Sequence, residues 1–181
     1  VLDFDDLLLY WREALSHPVV GRQIASDYDH VLVDEYQDVN TLQVDVLKLL
    51  TNQGQCLTVV GDDAQAIYSF RASSPDHILN FNSDFPDAST LALTTNYRST
   101  QPILDVANAL GSEAEVGFST KLTVSPSNCA PATRPRLVRC ADEDGQSDSV
   151  CERVLELREQ GIALREQAVL VRAAHHSDRL E

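Results

Sequence analysis

The sequence predicts an α/β fold of parallel sheets with flanking helices. Short apolar runs recur and each ends in polar residues: "HVLVDE", "CLTVVGDD" and "STLALTTNYRS". Segments with apolar residues at helical spacing lie between them. Strands that alternate with helices pair in parallel, because a parallel strand needs a long crossover and a helix supplies it.

Taken in order, residues 3–16 place Phe4, Leu7, Leu8, Trp11 and Leu15 at helical spacing, and Pro18 marks the stop. "HVLVDE" reads as a buried strand. Asn40 caps the next helix, whose apolar face carries Leu42, Val46, Leu49 and Leu50. "CLTVVGDD" is a second buried strand. "SPDHILNFNSDF" predicts one helix, with Ser74 as cap and Pro75 at its first position. "STLALTTNYRS" is a third strand, and "QPILDVANAL" a helix from Pro102 to just before Gly111. Residues 119–136, with three prolines and many small polar side chains, read as a loop. "PRLVRCA" then reads as a strand. A helix follows with Val150, Val154, Leu155 and Leu157 inward and Gly161 at its end. "EQAVLVRA" is a last strand, and "HHSDRLE" begins a helix.

Composition bounds the function. Hydrophobic residues make up 43% and charged residues 23% of the 181, ordinary for a globular protein. No apolar run is long enough to cross a membrane, and the acidic N-terminus "VLDFDDLLLYW" is no signal peptide. The net charge of −14 argues against strong nucleic-acid binding by these residues alone, since phosphate contacts need Lys and Arg. Cys56, Cys129, Cys140 and Cys151 form no CxxC pair, so buried free thiols in a reducing cytoplasm are expected. The adjacent His175 and His176 read as exposed helix residues, not a metal site. The chain holds no methionine and opens within helical text, so an internal fragment of a longer protein is expected.

In open α/β sheets ligands gather at the carboxyl ends of strands. Three ends here are loaded: "DEYQD", "GDDAQAIYSFR" and "TNYRS". A strand followed by Asp34 and Glu35 fits a magnesium–nucleotide site: one acid holds the cation through water, the other positions an attacking water. Acids favouring a helix N-terminus are the alternative for the same pair.

"LDFDDLL", "VLVDEYQDVN", "VVGDDAQAIYSFRAS", "LTTNYRST" and "QAVLVRAAHHSDRLE" occur in this order. Together they resemble the UvrD/Rep/PcrA family of superfamily 1 DNA helicases, over most of the chain except about residues 111–135. The resemblance implies RecA-like parallel sheets, with ATP and Mg²⁺ as cofactors. It implies that the full-length, cytoplasmic protein works on single-stranded DNA and duplex junctions, moving 3′ to 5′. Residues 1–94 are then the C-terminal part of a first motor domain and 95–181 the N-terminal part of a second. Asp34 resembles the magnesium-associated acid and Glu35 the general base. By the same resemblance Gln37 and Asp38 complete that motif at the nucleotide and link nucleotide state to neighbouring loops. Gln65 resembles the γ-phosphate sensor, Tyr97 the residue stacked on adenine, and Arg98 an arginine finger. Phe70 resembles an aromatic residue that stacks on DNA bases, with Tyr68 and Arg71 bracing it or touching DNA. Core packing for Phe70, loop packing for Tyr97, and ion pairing for Arg71 or Arg98 are the plainer readings.

The sequence departs from the family pattern at Ala64, where many relatives carry Asp, and at Ala66, where they carry Ser. No GxxxxGK[ST] loop occurs within the 181 residues. The other readings are the helicase part of a helicase–nuclease subunit, a non-catalytic interaction module, and a metal-dependent nuclease using the acid cluster.

Overall fold

The computed structural model describes residues 2–68, 74–117, 120–178 and 180. The chain forms two compact units, Val1–Thr133 and Arg134–Glu181.

The first unit opens with α1 (Phe4–Ser16). Asp3 caps it reciprocally: its carboxylate accepts from Asp6 N at 2.9 Å, and Asp6 Oδ2 accepts from Asp3 N at 3.2 Å. Of the apolar positions expected to face inward, Leu15 is buried and Leu8 half-buried, while Phe4, Leu7 and Trp11 are exposed. A short helix, α2 (Val20–Ser26), follows Pro18 in a stretch where no helix was expected. Gly21 permits the turn, since a Cβ there would collide with the Leu15 carbonyl.

Strands β1 (Val31–Val33) and β2 (Leu57–Val59) pair in parallel, Val31 with Leu57 and Val33 with Val59. The crossover between them is α3 (Thr41–Leu50), capped by Asn40 as expected; Asn40 Oδ1 accepts from Gln43 N, and Gln43 Oε1 accepts from Asn40 N. This helix buries Val44, Val46 and Leu50. One cluster gathers Tyr36, Val39, Val44 and Ile78, and a second gathers Leu15, Val46 and Leu50. The helix thus serves two clusters, Val44 in one and Val46 and Leu50 in the other, which is why Val44 escaped a single-face reading.

The helix expected over "SPDHILNFNSDF" is two pieces, α4 (Asp76–Leu79) and α5 (Phe81–Asp84), broken at Asn80. Ser74 does hold the start, accepting from Asp76 N at 3.2 Å, but Pro75 stands at the cap position. The break turns Phe81 edge-on to Tyr36, with centroids 5.2 Å apart, and brings Phe81 to 4.8 Å from Phe85. Lys48 of α3 bonds Asp84 Oδ1 at 2.6 Å, and His77 Nδ1 lies 3.5 Å from Asp84 Oδ2, so α3 is tied to both short helices.

A second parallel pair joins β3 (Thr95–Asn96) to β4 (Thr123–Val124). The third strand is thus shorter than expected, and β4 lies inside the stretch read as a loop. Between them, α6 (Gln101–Ser112) starts with Pro at its first turn and runs through Gly111. No Cβ contact stands within 4 Å of Gly111, so nothing forces a stop there.

In the second unit, α7 (Glu143–Glu159) is capped by Asp142 and followed by Gly161 at φ +96. None of its residues is buried; Val150, Val154 and Leu157 are half-buried and Leu155 exposed. The strands expected at "PRLVRCA" and "EQAVLVRA" are not formed, and a 3₁₀ turn (Ala174–His176) stands where a helix was expected. The cysteines also correct the reading: Cys56, Cys129, Cys140 and Cys151 are free but all exposed. No helix among the described residues is long and apolar enough to cross a membrane.

Candidate functional site

The two strands of the first sheet end side by side, and both ends carry polar residues. The pairing continues past β1 and β2: Val60 N donates to Val33 O at 2.8 Å, and Tyr36 N donates to Val60 O at 2.9 Å. Between those bonds the chain turns sharply at Glu35, whose φ of 51° and ψ of 43° lie in the left-handed region. That conformation costs a non-glycine residue about 1–3 kcal/mol and persists where the surroundings over-determine it. Buried Tyr36 and Gln37 on its C-terminal side supply that constraint.

Gln37 is 2% exposed and engaged at both ends of its amide. Its Nε2 donates to Glu35 Oε2 at 2.7 Å, and its Oε1 accepts from Asp62 N at 3.0 Å. Asp62 in turn caps a 3₁₀ turn (Asp63–Gln65), and its Oδ2 accepts from Gln65 Nε2 at 2.9 Å. Asp34 Oδ1 accepts from Glu35 N at 2.9 Å. One line of hydrogen bonds therefore joins Asp34, Glu35, Gln37, Asp62 and Gln65 across two strand ends. Gly61 is required by it: a Cβ there would stand 2.8 Å from both Gln37 Oε1 and Ile78 Cδ1.

Asp34, Glu35 and Gln65 are exposed, so a ligand can reach them. Asp38 is half-buried, and its Oδ1 is buried with no hydrogen-bond partner among the described residues. Tyr36 is fully buried, and its pKa is pushed up to about 12 by burial and then by the charge of Asp84. The described residues contain no group of three or more metal-ligating side chains. A lone strand-end carboxylate such as Asp34 suits Mg²⁺, which keeps waters and takes substrate phosphates rather than filling an all-protein cage.

The third loaded segment follows β3. Asn96 Oδ1 accepts from Arg98 N at 3.0 Å and Ser99 N at 2.7 Å, forming an Asx turn. Asn128 Nδ2 bridges the other side, donating to Tyr97 O at 3.4 Å and Ser99 O at 3.1 Å. The turn leaves Tyr97 72% exposed and Arg98 exposed as well. No hydrogen bond among the described residues joins this segment to the Asp34–Gln65 line. Tyr68 is exposed. Phe70 and Arg71 lie outside the described residues. Gly61 and Asp62 hold the first segment and Asn96 and Asn128 the second; the first three lie in the loaded strand-end segments of the sequence without a role assigned to them there, and Asn128 gave no signal.

The model for the UvrD/REP helicase N-terminal domain matches residues 1–86, and the model for the UvrD-like helicase C-terminal domain matches residues 91–181. The chain belongs to the UvrD-like helicase family. It is 34% identical over 183 residues to DNA helicase II of Escherichia coli strain K12, covering 100% of this chain and 25% of that one. It is 35% identical over 182 residues to the ATP-dependent DNA helicase PcrA of Leuconostoc citreum, covering 99% and 24%. It is 36% identical over 180 residues to the ATP-dependent DNA helicase UvrD2 of Mycobacterium tuberculosis strain H37Rv, covering 98% and 26%. The chain thus spans about a quarter of the length of these curated relatives. As a UvrD-like chain it has the α/β architecture expected of a RecA-like motor, with small parallel sheets and helical crossovers.

Proposed function

We propose that the protein carrying this chain is an ATP-dependent DNA helicase that couples ATP hydrolysis to 3′-to-5′ movement on single-stranded DNA. The observation that carries this reading is the hydrogen-bonded line from Asp34 to Gln65 across the ends of two parallel strands, in a UvrD-like chain. Residues up to about 94 belong to a first motor domain and those from 95 to a second, with Tyr97 and Arg98 on the turn that opens the second.

In this reading Asp34 holds Mg²⁺ through water, and the cation supplies charge neutralisation at the phosphates when bound. Glu35 orients the hydrolytic water and takes its proton. Gln65 and the planar Arg98 guanidinium face the γ-phosphate, and Tyr97 offers its exposed ring to the adenine. Tyr68, Phe70 and Arg71 would contact DNA; stacking suits sequence-independent tracking because every base has a π-face. Residues 1–181 alone hold no phosphate-cradling loop and carry a net charge of −14, so ATP turnover and DNA affinity belong to the full-length protein.

Glu35→Gln in the full-length protein tests the reading. It keeps the acceptor for Gln37 and removes the base, so DNA-stimulated ATP hydrolysis falls by at least about a hundredfold while ATP binding persists. Near-normal turnover by that variant would remove Glu35 from the chemistry.

A further inference from the structure

We propose that Asn128 is a positioning residue for the nucleotide contacts of Tyr97 and Arg98: it clamps the backbone carbonyls on either side of Arg98 from a segment outside the motifs that carry the family resemblance. This rests on the reading of Arg98 as a γ-phosphate contact and goes beyond it by assigning the group that holds its backbone.

The peptide group between Tyr97 and Arg98 is held at both edges. Its N–H donates to Asn96 Oδ1 at 3.0 Å, and its carbonyl accepts from Asn128 Nδ2 at 3.4 Å. Ser99 repeats the arrangement: its N–H donates to Asn96 Oδ1 at 2.7 Å, and its carbonyl accepts from Asn128 Nδ2 at 3.1 Å. The 3.1 Å bond is the stronger of the two that Asn128 makes. One amide thus takes the N–H groups of the turn and the other its carbonyls. The exposed side chains of Tyr97 and Arg98 leave a backbone that cannot rotate without breaking bonds to one of them. Asn128 is itself committed to protein: Nδ2 has two hydrogens and two carbonyl partners, and Oδ1 accepts from Ala130 N at 3.0 Å.

The base of the clamp is fixed independently. Asn108 of α6 pairs with both backbone groups of Leu122, donating to its carbonyl at 2.9 Å and accepting from its N–H at 2.8 Å, as a neighbouring strand would. Gln101 Oε1 accepts from Val124 N at 3.0 Å. Ser125, 4% exposed, donates its N–H to Asn96 O at 2.7 Å, and its carbonyl accepts from Asn128 N at 2.9 Å. The clamp therefore starts from α6 and β3 and closes on the turn after β3, so Tyr97 and Arg98 are presented from a fixed frame.

The test is Asn128→Asp in the full-length protein, with Asn128→Ala beside it. Asp keeps the shape and the acceptor for Ala130 N but sets an oxygen where the donor stood, facing two carbonyls. Ala removes donor and acceptor together. The expected result for both is a kcat for ATP hydrolysis lower by about 5- to 20-fold, the equivalent of one good hydrogen bond and one weak one, with the melting temperature little changed. In an Arg98→Ala background Asn128→Asp adds no more than about twofold to the loss in kcat, because the group it presents is gone. Wild-type kcat in both variants overturns the proposal, as does a full additional loss in the Arg98→Ala background. Falls in kcat matched by falls in melting temperature, or failure of both variants to fold, also overturn it and assign Asn128 to packing. Normal turnover by Arg98→Ala alone refutes the Arg98 assignment and takes the positioning role with it. A loss in Arg98→Ala beside wild-type kcat in the Asn128 variants refutes the positioning role alone.

Discussion

Asn96→Ala gives the sharpest test of how the second segment is presented. The Asn96 side chain accepts from two backbone N–H groups, those of Arg98 at 3.0 Å and Ser99 at 2.7 Å. Each such bond contributes about 1 kcal/mol net, so removing the acceptor weakens the turn by about 2 kcal/mol. At 1.4 kcal/mol per tenfold, that lowers the share of the turn in its present conformation by up to about 30-fold. Asn128 still holds the Tyr97 and Ser99 carbonyls, so the loss is one of order, not of the fold. If Arg98 and Tyr97 meet the nucleotide, ATP turnover in the full-length protein falls by about 10- to 30-fold. Asn96→Asp keeps an oxygen at the acceptor position and restores most of the rate. The assay is steady-state ATP hydrolysis at saturating DNA, with thermal melting alongside. Wild-type turnover in Asn96→Ala, or equal damage from Asn96→Asp and Asn96→Ala, would refute the reasoning.

Two further outcomes are expected, both in stability. The Asp84 carboxyl is held below its ordinary value: burial by itself would raise it, but the hydrogen bond and charge of Lys48, and then those of His77, outweigh burial. A lowered folded pKa gives stability that is complete above the ordinary carboxylate range and is lost as pH falls through the folded value. Asp84→Asn therefore destabilises by about 1 kcal/mol at neutral pH and flattens the acid limb of the melting profile; curves for variant and wild type that stay parallel from neutral pH into acid would refute the assignment. The buried Tyr36 hydroxyl has no partner among the described residues, so Tyr36→Phe should be neutral or stabilising by about 1 kcal/mol in a denaturant titration. A loss of that size would show that the hydroxyl has a partner.

The strand ends were legible from short valine-rich runs that turn into oxygen-bearing residues, but the buried strands expected there are only partly covered: Val31, Val33, Leu57 and Val59 are half-buried, and Leu32 and Thr58 are exposed. The cap at Asn40 was legible because it follows from hydrogen bonding within four residues; reciprocal capping is present there and also at Asp3, for which no cap was expected. What could not be read depended on distant partners. "PRLVRCA" and "EQAVLVRA" have strand composition, but a strand exists only where another pairs with it, and no ladder forms there. Conversely β4 exists because Thr94 and Asn96 offer carbonyls to Thr123 and Ser125, a relation across 29 residues that local composition does not encode. The break at Asn80 accompanies the packing of Phe81 edge-on to Tyr36 and against Phe85, again a tertiary demand on a segment that is helical by local preference. Burial of Gln37 was not legible either: a carboxamide beside two acids reads as a polar surface group, and only its distant partner Asp62 N shows how it is enclosed.

Two of the positions that break local rules fall on one feature. Glu35 takes a left-handed conformation without being glycine, while Gly61 tolerates a contact that any other residue would block. Both are needed for a single arrangement, in which Gln37 reaches Glu35 on one side and Asp62 N on the other. If the arrangement only stabilised the fold, replacing Glu35 by glycine and relaxing the turn would be the simpler solution, since the residue is exposed and its side chain adds little burial. A strained carboxylate held by a buried amide is instead what a site needs when an exposed group must keep one direction while solvent competes for it. The strain is offset by the apolar cluster beneath, where Tyr36, Val39, Val44 and Ile78 fix the chain on the far side of the turn. The fold therefore places a left-handed, non-glycine backbone under an exposed acid at a strand end, a stronger functional sign than the presence of acids there.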